Sequence, residues 1–193
     1  MNNFVRGNFI GNLSLCDEII DFYKCSKDKF KGTISNSSGV IVDADVKDST
    51  DCHLVGPLYD QYYAELEKIT RDYLSTFPHA ICNGDWGVVE DINIQHYQPG
   101  QGFKVWHCER GNLSLAYRHL VFMTYLNDVT DGGETEFFHQ ELKIRPEKGL
   151  TLIWPADWTY THRGVTSPTQ EKYIATGWFN FMPPGTKHKP DSE

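Results

Sequence analysis

At residue 88 the hydrophobic period of this chain changes to two and holds, segment by segment, to residue 181. In VVEDINIQHY, Ile92, Ile94 and His96 fall on one face of an extended strand, and Asn93, Gln95 and Tyr97 fall on the other. KVWHCE, HLVFMTYLN, ETEFFHQ, LKIRP, LTLIWP and KYIATGWFNF follow. Gln98-Pro99-Gly100, Asp131-Gly132-Gly133 and Pro146-Glu147-Lys148-Gly149 are turn signals among them. Short strands with sharp turns bury their apolar faces by packing sheet on sheet. This half therefore reads as a β-sandwich or barrel.

The half before it has a different pattern. Ser14 is placed to cap a helix whose apolar stripe is Ile19, Ile20, Phe22 and Tyr23. A second helix is expected over YDQYYAELEKITRDYLSTF, ended by Pro78. Between them, residues 30 to 56 are rich in Ser, Asp and Gly, and read as a long irregular loop with at most one short strand. Such a loop is a candidate lid. The layout expected is one domain over 1–193, helical to about residue 87, with a β core from about 88 to 181.

A net charge of -8 leaves no broad basic surface for nucleic acid. Five cysteines, odd in number and without a CxxC pair, argue for a reducing compartment and against a disulfide framework or a zinc knuckle. The N-terminal residues lack the apolar run of a signal peptide, and no stretch of 18 apolar residues suggests a membrane span. A cytoplasmic protein is expected.

On a strand, residues i and i+2 point the same way, so His107 and Glu109 can face one point while Cys108 faces away. By itself the pair is a weak signal, since most such pairs are ordinary surface side chains. A metal site needs a third ligand, and His162 stands 53 positions beyond Glu109, where a separate strand could carry it across the barrel. Two imidazoles and one carboxylate that leave the remaining positions open suit non-haem Fe(II). On KYIATGWF, Lys172 shares a face with Ile174, Thr176 and Trp178. An interior lysine is costly unless it meets an anion; the alternative is a strand end from which it snorkels to water.

Taken together, the motifs are a Tyr-x-Pro-Gly turn ten residues before His107, His-x-carboxylate, Tyr-Leu-Asn and Gly-Gly-Glu-Thr-x-Phe. Lys-Gly-x-x-x-x-Trp, His-x-Gly and a basic residue six before a Trp complete the set. From about Val88 to Phe181 the chain resembles the 2-oxoglutarate- and Fe(II)-dependent dioxygenases, specifically the prolyl 4-hydroxylase-like group. The resemblance implies an α+β fold: a double-stranded β-helix (jelly-roll) core with N-terminal supporting helices. It implies iron held by His107, Glu109 and His162, and 2-oxoglutarate anchored by Lys172, Tyr97 and Tyr125, with Trp178 in the pocket wall. Arg163, next to His162, reads as a solvated arginine, with contact to substrate as the alternative. The departure is Glu109, where the family usually carries Asp; the extra methylene still permits ligation.

The resemblance further implies hydroxylation of peptidyl proline, with O2 consumed, succinate and CO2 as co-products and ascorbate as a supporting reductant. Trp106, Tyr117, Trp154, Trp158 and Tyr160 are the aromatic residues available to core and peptide surface. The compact form is similar to phage-encoded members acting in a host cytoplasm. Two alternatives remain at this level: the same chemistry on another peptide side chain or a small molecule, and a non-catalytic jelly-roll binding module.

Overall fold

The computed structural model describes residues 3–36 and 39–183. Its first elements are β1 (Arg6–Phe9), α1 (Ser14–Cys25), β2 (Phe30–Lys31), β3 (Ile34–Asn36), β4 (Gly39–Ile41), β5 (Lys47–Asp48) and β6 (Thr50–His53). Next come α2 (Pro57–Thr76), β7 (Trp86–Val88), β8 (Asn93–Tyr97), β9 (Gly102–Phe103) and β10 (Arg118–Tyr125). The last are β11 (Thr135–Phe137), β12 (Leu142–Ile144), β13 (Leu150–Pro155), β14 (His162–Gly164) and β15 (Lys172–Phe181).

The major sheet runs in the order β1-β13-β10-β15-β8-β6-β2, with β7 also pairing β15, and every pairing is antiparallel. A minor sheet, β12-β11-β14, faces it. Side chains from both sheets, including Val121, Tyr125, Phe137, Trp154 and Ile174, fill the space between them. This is a double-stranded β-helix of the α+β class.

Period two explains how the major sheet serves two cores. On β10, Leu120 and Phe122 join the helix-side cluster, while Val121, Met123 and Tyr125 join the inter-sheet cluster. On β15, Tyr173, Ala175 and Phe179 turn to the helices, and Lys172, Ile174, Thr176 and Trp178 turn inward. The helices cover the outer face because their stripes match it. α1 buries Leu15, Cys16, Ile19, Ile20 and Tyr23, and α2 buries Tyr62, Leu66, Ile69, Thr70 and Tyr73. A buried hydroxyl chain ties α2 to two strands: Tyr62 Oη to Thr124 Oγ1 and Thr124 Oγ1 to Thr151 Oγ1, each 2.7 Å. No helix among the described residues is long and apolar enough to cross a membrane.

Several expectations are corrected here. The first 87 residues are not simply helical: β1 and β6 join the major sheet through β13 and β8. Residues 30 to 56 are built of short strands, with β3 and β4 forming a hairpin, rather than one irregular loop. Ser14 is the first helical residue, not the cap, and Asn12 Oδ1 accepts from its backbone N–H and its hydroxyl. KVWHCE is not a strand, since local pairing there is reduced to one bridge between His107 and His162.

Candidate active site

His107, Glu109 and His162 converge. Each offers a ligand atom, and the three lie within 4.8 Å of one another. The bridge produces this: His107 and His162 exchange backbone hydrogen bonds, and the adjoining Glu109 N–H donates to the Ala156 carbonyl at 3.2 Å. Glu109 Oε1 then stands 3.5 Å from His107 Nε2 and 3.4 Å from His162 Nε2.

The backbone also sets the tautomers. His107 Nδ1 is 2.9 Å from the Val105 carbonyl, and His162 Nδ1 is 2.9 Å from that of Tyr160. A carbonyl only accepts, so each Nδ1 carries its hydrogen and each Nε2 is turned to the centre. The rings are immobilised: Phe103 stacks on His107 with centroids 3.6 Å apart, and Trp154 meets His162 edge-on. Burial lowers the His107 pKa, and neighbouring His162 lowers it further against the pull of Glu109. Burial would raise the Glu109 carboxyl, but contacts from both histidines outweigh it and hold that pKa well below the usual range. With each Nδ1 turned to a backbone carbonyl, the two Nε2 atoms and Glu109 Oε1 face one point, a donor set suited to a cation. Two nitrogens and one oxygen on one side of a centre, with the other side open, fit Fe(II).

The triad opens into a cavity of about 490 Å³. Lys172 lies in its wall, only 5% exposed, and is not a snorkelling strand end. Its ammonium donates to the Gly133 carbonyl at 3.1 Å and faces the Tyr97 ring at 5.0 Å. Among the described residues it has no carboxylate within ion-pair distance. Burial pushes its pKa down to about 8, with distant Glu134 opposing. A Cβ on Gly164 would sit 3.5 Å from Lys172 Nζ, so the glycine two positions after His162 keeps this space open. The cavity thus holds a buried cation without an anionic partner, which suits a carboxylate.

Tyr97 and Trp178 line the same cavity. The Tyr97 hydroxyl donates to Gln95 Oε1 at 2.6 Å, and Trp178 Nε1 donates to Glu109 Oε2 at 3.0 Å. Tyr125 sits one layer deeper. It is fully buried, and its hydroxyl donates to Thr135 Oγ1 at 2.6 Å, so Thr135 rather than Tyr125 meets the cavity.

Sequence reasoning missed three cavity residues. Arg118 binds Glu90 with two donors, at 2.9 and 2.6 Å, and reaches Glu109 Oε2 at 3.2 Å. Strict alternation would place Arg118 beside Leu120 on the helix side, but a bulge between them turns it inward. Lys47 and Asp51 form a buried ion pair of 2.8 Å in the cavity lining, contributed by the 30 to 56 segment. Their signal was an i,i+4 opposite-charge pair. Arg163 is not simply solvated: it pairs with Glu136 at 2.8 Å and lies over the Trp106 ring. Of the aromatic residues near the site, Trp154 and Tyr160 are core, whereas Trp106, Tyr117 and Trp158 are exposed.

Residues 92–180 match the model of the 2OG-Fe(II) oxygenase superfamily. The probable prolyl 4-hydroxylase 8 of Arabidopsis thaliana is 25% identical over 211 residues, covering 92% of this chain and 68% of that relative. The viral collagen prolyl hydroxylase of Paramecium Bursaria Chlorella virus-1, solved with 2OG, superposes with a TM-score of 0.70 at 21% identity. That match covers 94% of this chain and 98% of the viral one. A Trichoplax adhaerens prolyl hydroxylase, solved with a hypoxia inducible factor peptide fragment, gives a TM-score of 0.68 at 18% identity. It covers 92% of this chain and 82% of the other. Residues 92–180, which form the β core, thus match the 2OG-Fe(II) oxygenase superfamily, and the chain as a whole is similar to 2-oxoglutarate-dependent dioxygenases of the prolyl 4-hydroxylase-like kind.

Proposed function

We propose that this dioxygenase hydroxylates proline within peptides, with His107, Glu109 and His162 as the iron ligands and Lys172 as the anchor of 2-oxoglutarate. One observation carries the reading: three converging ligand atoms share a cavity with a buried ammonium that lacks an anion. Fe(II), 2-oxoglutarate and O2, the reactants its superfamily implies, supply the oxidation of a C–H bond to an alcohol, leaving succinate and CO2.

The chain's own residues bind and orient. The two Nδ1–H groups, fixed by backbone carbonyls, keep each Nε2 aimed at the metal position. Lys172 supplies the charge that holds the distal carboxylate, and the Tyr97 hydroxyl is a second donor once turned from Gln95. Tyr125 acts on that end through Thr135. Trp178 and Phe103 wall the cavity and limit water beside the reacting atoms. Ascorbate is the reductant that would restore iron after uncoupled turnover.

A peptide substrate is supported by the similarity to prolyl hydroxylases and by an aromatic mouth. Exposed Trp106 and Phe138 meet edge-to-face at 5.2 Å, with Arg163 above Trp106. Such rings suit proline-rich chains, which are pre-extended and poor in backbone donors. Incubating the chain with iron, 2-oxoglutarate, ascorbate and poly-proline, Pro-Ala or Pro-Gly peptides should add one oxygen atom per modified proline, read by mass spectrometry. Brisk succinate release with no change in any peptide would point to a different substrate.

A further inference from the structure

We propose that Arg118 and Trp178 are positioning residues that make Glu109 a one-oxygen ligand. The proposal rests on the metal reading above. A glutamate side chain has three rotatable bonds, and either carboxylate oxygen, or both, could turn to a cation. Here the two oxygens have separate tasks. Oε1 stands 3.5 and 3.4 Å from the two Nε2 atoms, while Oε2 accepts from Arg118 Nη1 at 3.2 Å and from Trp178 Nε1 at 3.0 Å.

Both donors are themselves fixed. The Nε and Nη2 edge of Arg118 is occupied by Glu90, and the guanidinium carbon lies 3.4 Å from the Trp178 ring centroid. Arg118 Nη1 also reaches the Glu109 backbone carbonyl at 3.3 Å, so one donor binds both ends of the residue. Glu90 alone would neutralise Arg118, so charge balance does not require the contact to Glu109. The bulge at the start of β10 re-aims Arg118 from the helix side to this place. Bulges of this kind recur where a strand redirects one side chain toward a site. A planar fork with five donors serves two carboxylates at once in fixed directions and binds one of them through two parallel bonds, a geometry that a lysine's single ammonium does not impose.

The consequence is a length requirement. With Asp at 109, the carboxylate is drawn back by one methylene, roughly 1.5 Å. It can then meet the metal position or the two donors, but not both. The donors should therefore matter only when Glu stands at 109.

A double-mutant cycle read by Mn(II) affinity tests this without relying on turnover. Calorimetric titration of the metal-free full chain compares the unaltered protein, Trp178→Phe, Glu109→Asp and the double variant. Trp178→Phe keeps an aromatic ring beneath Arg118 and deletes the N–H together with the rest of the five-membered ring. In the Glu109 background it should weaken Mn(II) binding about tenfold or more. In the Asp background the same change should shift the Kd by less than about twofold. Arg118→Lys, which retains charge without the fork, should weaken binding in the same background-dependent way. It replaces Trp178→Phe in the cycle if that variant melts early in its metal-free form. Equal losses in both backgrounds, or none in either, would overturn the positioning role. No Mn(II) binding by the unaltered chain would overturn the metal reading itself, and this role with it.

Discussion

His107 and His162 donate backbone N–H groups to each other's carbonyls, at 3.0 and 2.9 Å, although 55 positions separate them in the chain. In such a hydrogen-bonded antiparallel pair the side chains leave on the same side. Their rings accordingly lie with centroids 4.3 Å apart. The spacing of the two imidazoles is thus inherited from main-chain geometry rather than from side-chain packing.

Truncating either imidazole should leave that bridge standing. His162→Ala is expected to abolish metal binding and hydroxylation while circular dichroism and the melting curve stay close to those of the unaltered protein. Retained metal affinity would remove His162 from the ligand set.

Lys172→Ala should raise the KM for 2-oxoglutarate while Mn(II) affinity changes little. Removing one partner of a buried charge pair costs about 3 to 5 kcal/mol, which corresponds to about a hundredfold or more. Stability should move the other way. Lys172→Met keeps the volume and deletes a buried charge, so the metal-free, co-substrate-free chain should melt higher. An unchanged KM would mean that the carboxylate binds elsewhere.

The Lys172 pKa of about 8 makes co-substrate capture pH-dependent. kcat/KM for 2-oxoglutarate should fall on the alkaline side as the free protein loses this proton. Lys172→Arg should flatten that limb, because a guanidinium stays charged throughout. Stability follows the opposite sign. Between about 8 and the ordinary 10.5, the unfolded chain holds a proton that the folded chain has released. This group's contribution to stability therefore rises with pH across that window and is constant below it. An alkaline limb that survives Lys172→Arg belongs to another group.

Asp51 and Lys47 are 2% and 6% exposed, and their pair faces the cavity. Asp51→Ala strands Lys47 and should cost about 3 to 5 kcal/mol in denaturant unfolding. Adding Lys47→Met to it should recover much of that loss. Equal instability of the single and double variants would show that the pair is not the cause.

Alternation by itself determined the strands that matter and the direction of their side chains. The inward face of β8 holds Gln95 and Tyr97, and that of β15 holds Lys172, Ile174, Thr176 and Trp178, as a period of two requires. Pro78, just beyond the end of α2, bounded that helix with equal economy, because its ring constraint acts locally. Three features were decided only by the tertiary structure. His107 and Glu109 lie on no regular strand, and a long-range bridge aligns them with His162. The 30 to 56 segment, polar and weakly patterned, becomes sheet because β6 finds a partner edge on β8. Arg118 turns inward because of a bulge, and one extra residue reverses the face that alternation assigns. Local periodicity carries information about faces, whereas bridges, edge pairing and bulges depend on which distant strand arrives alongside.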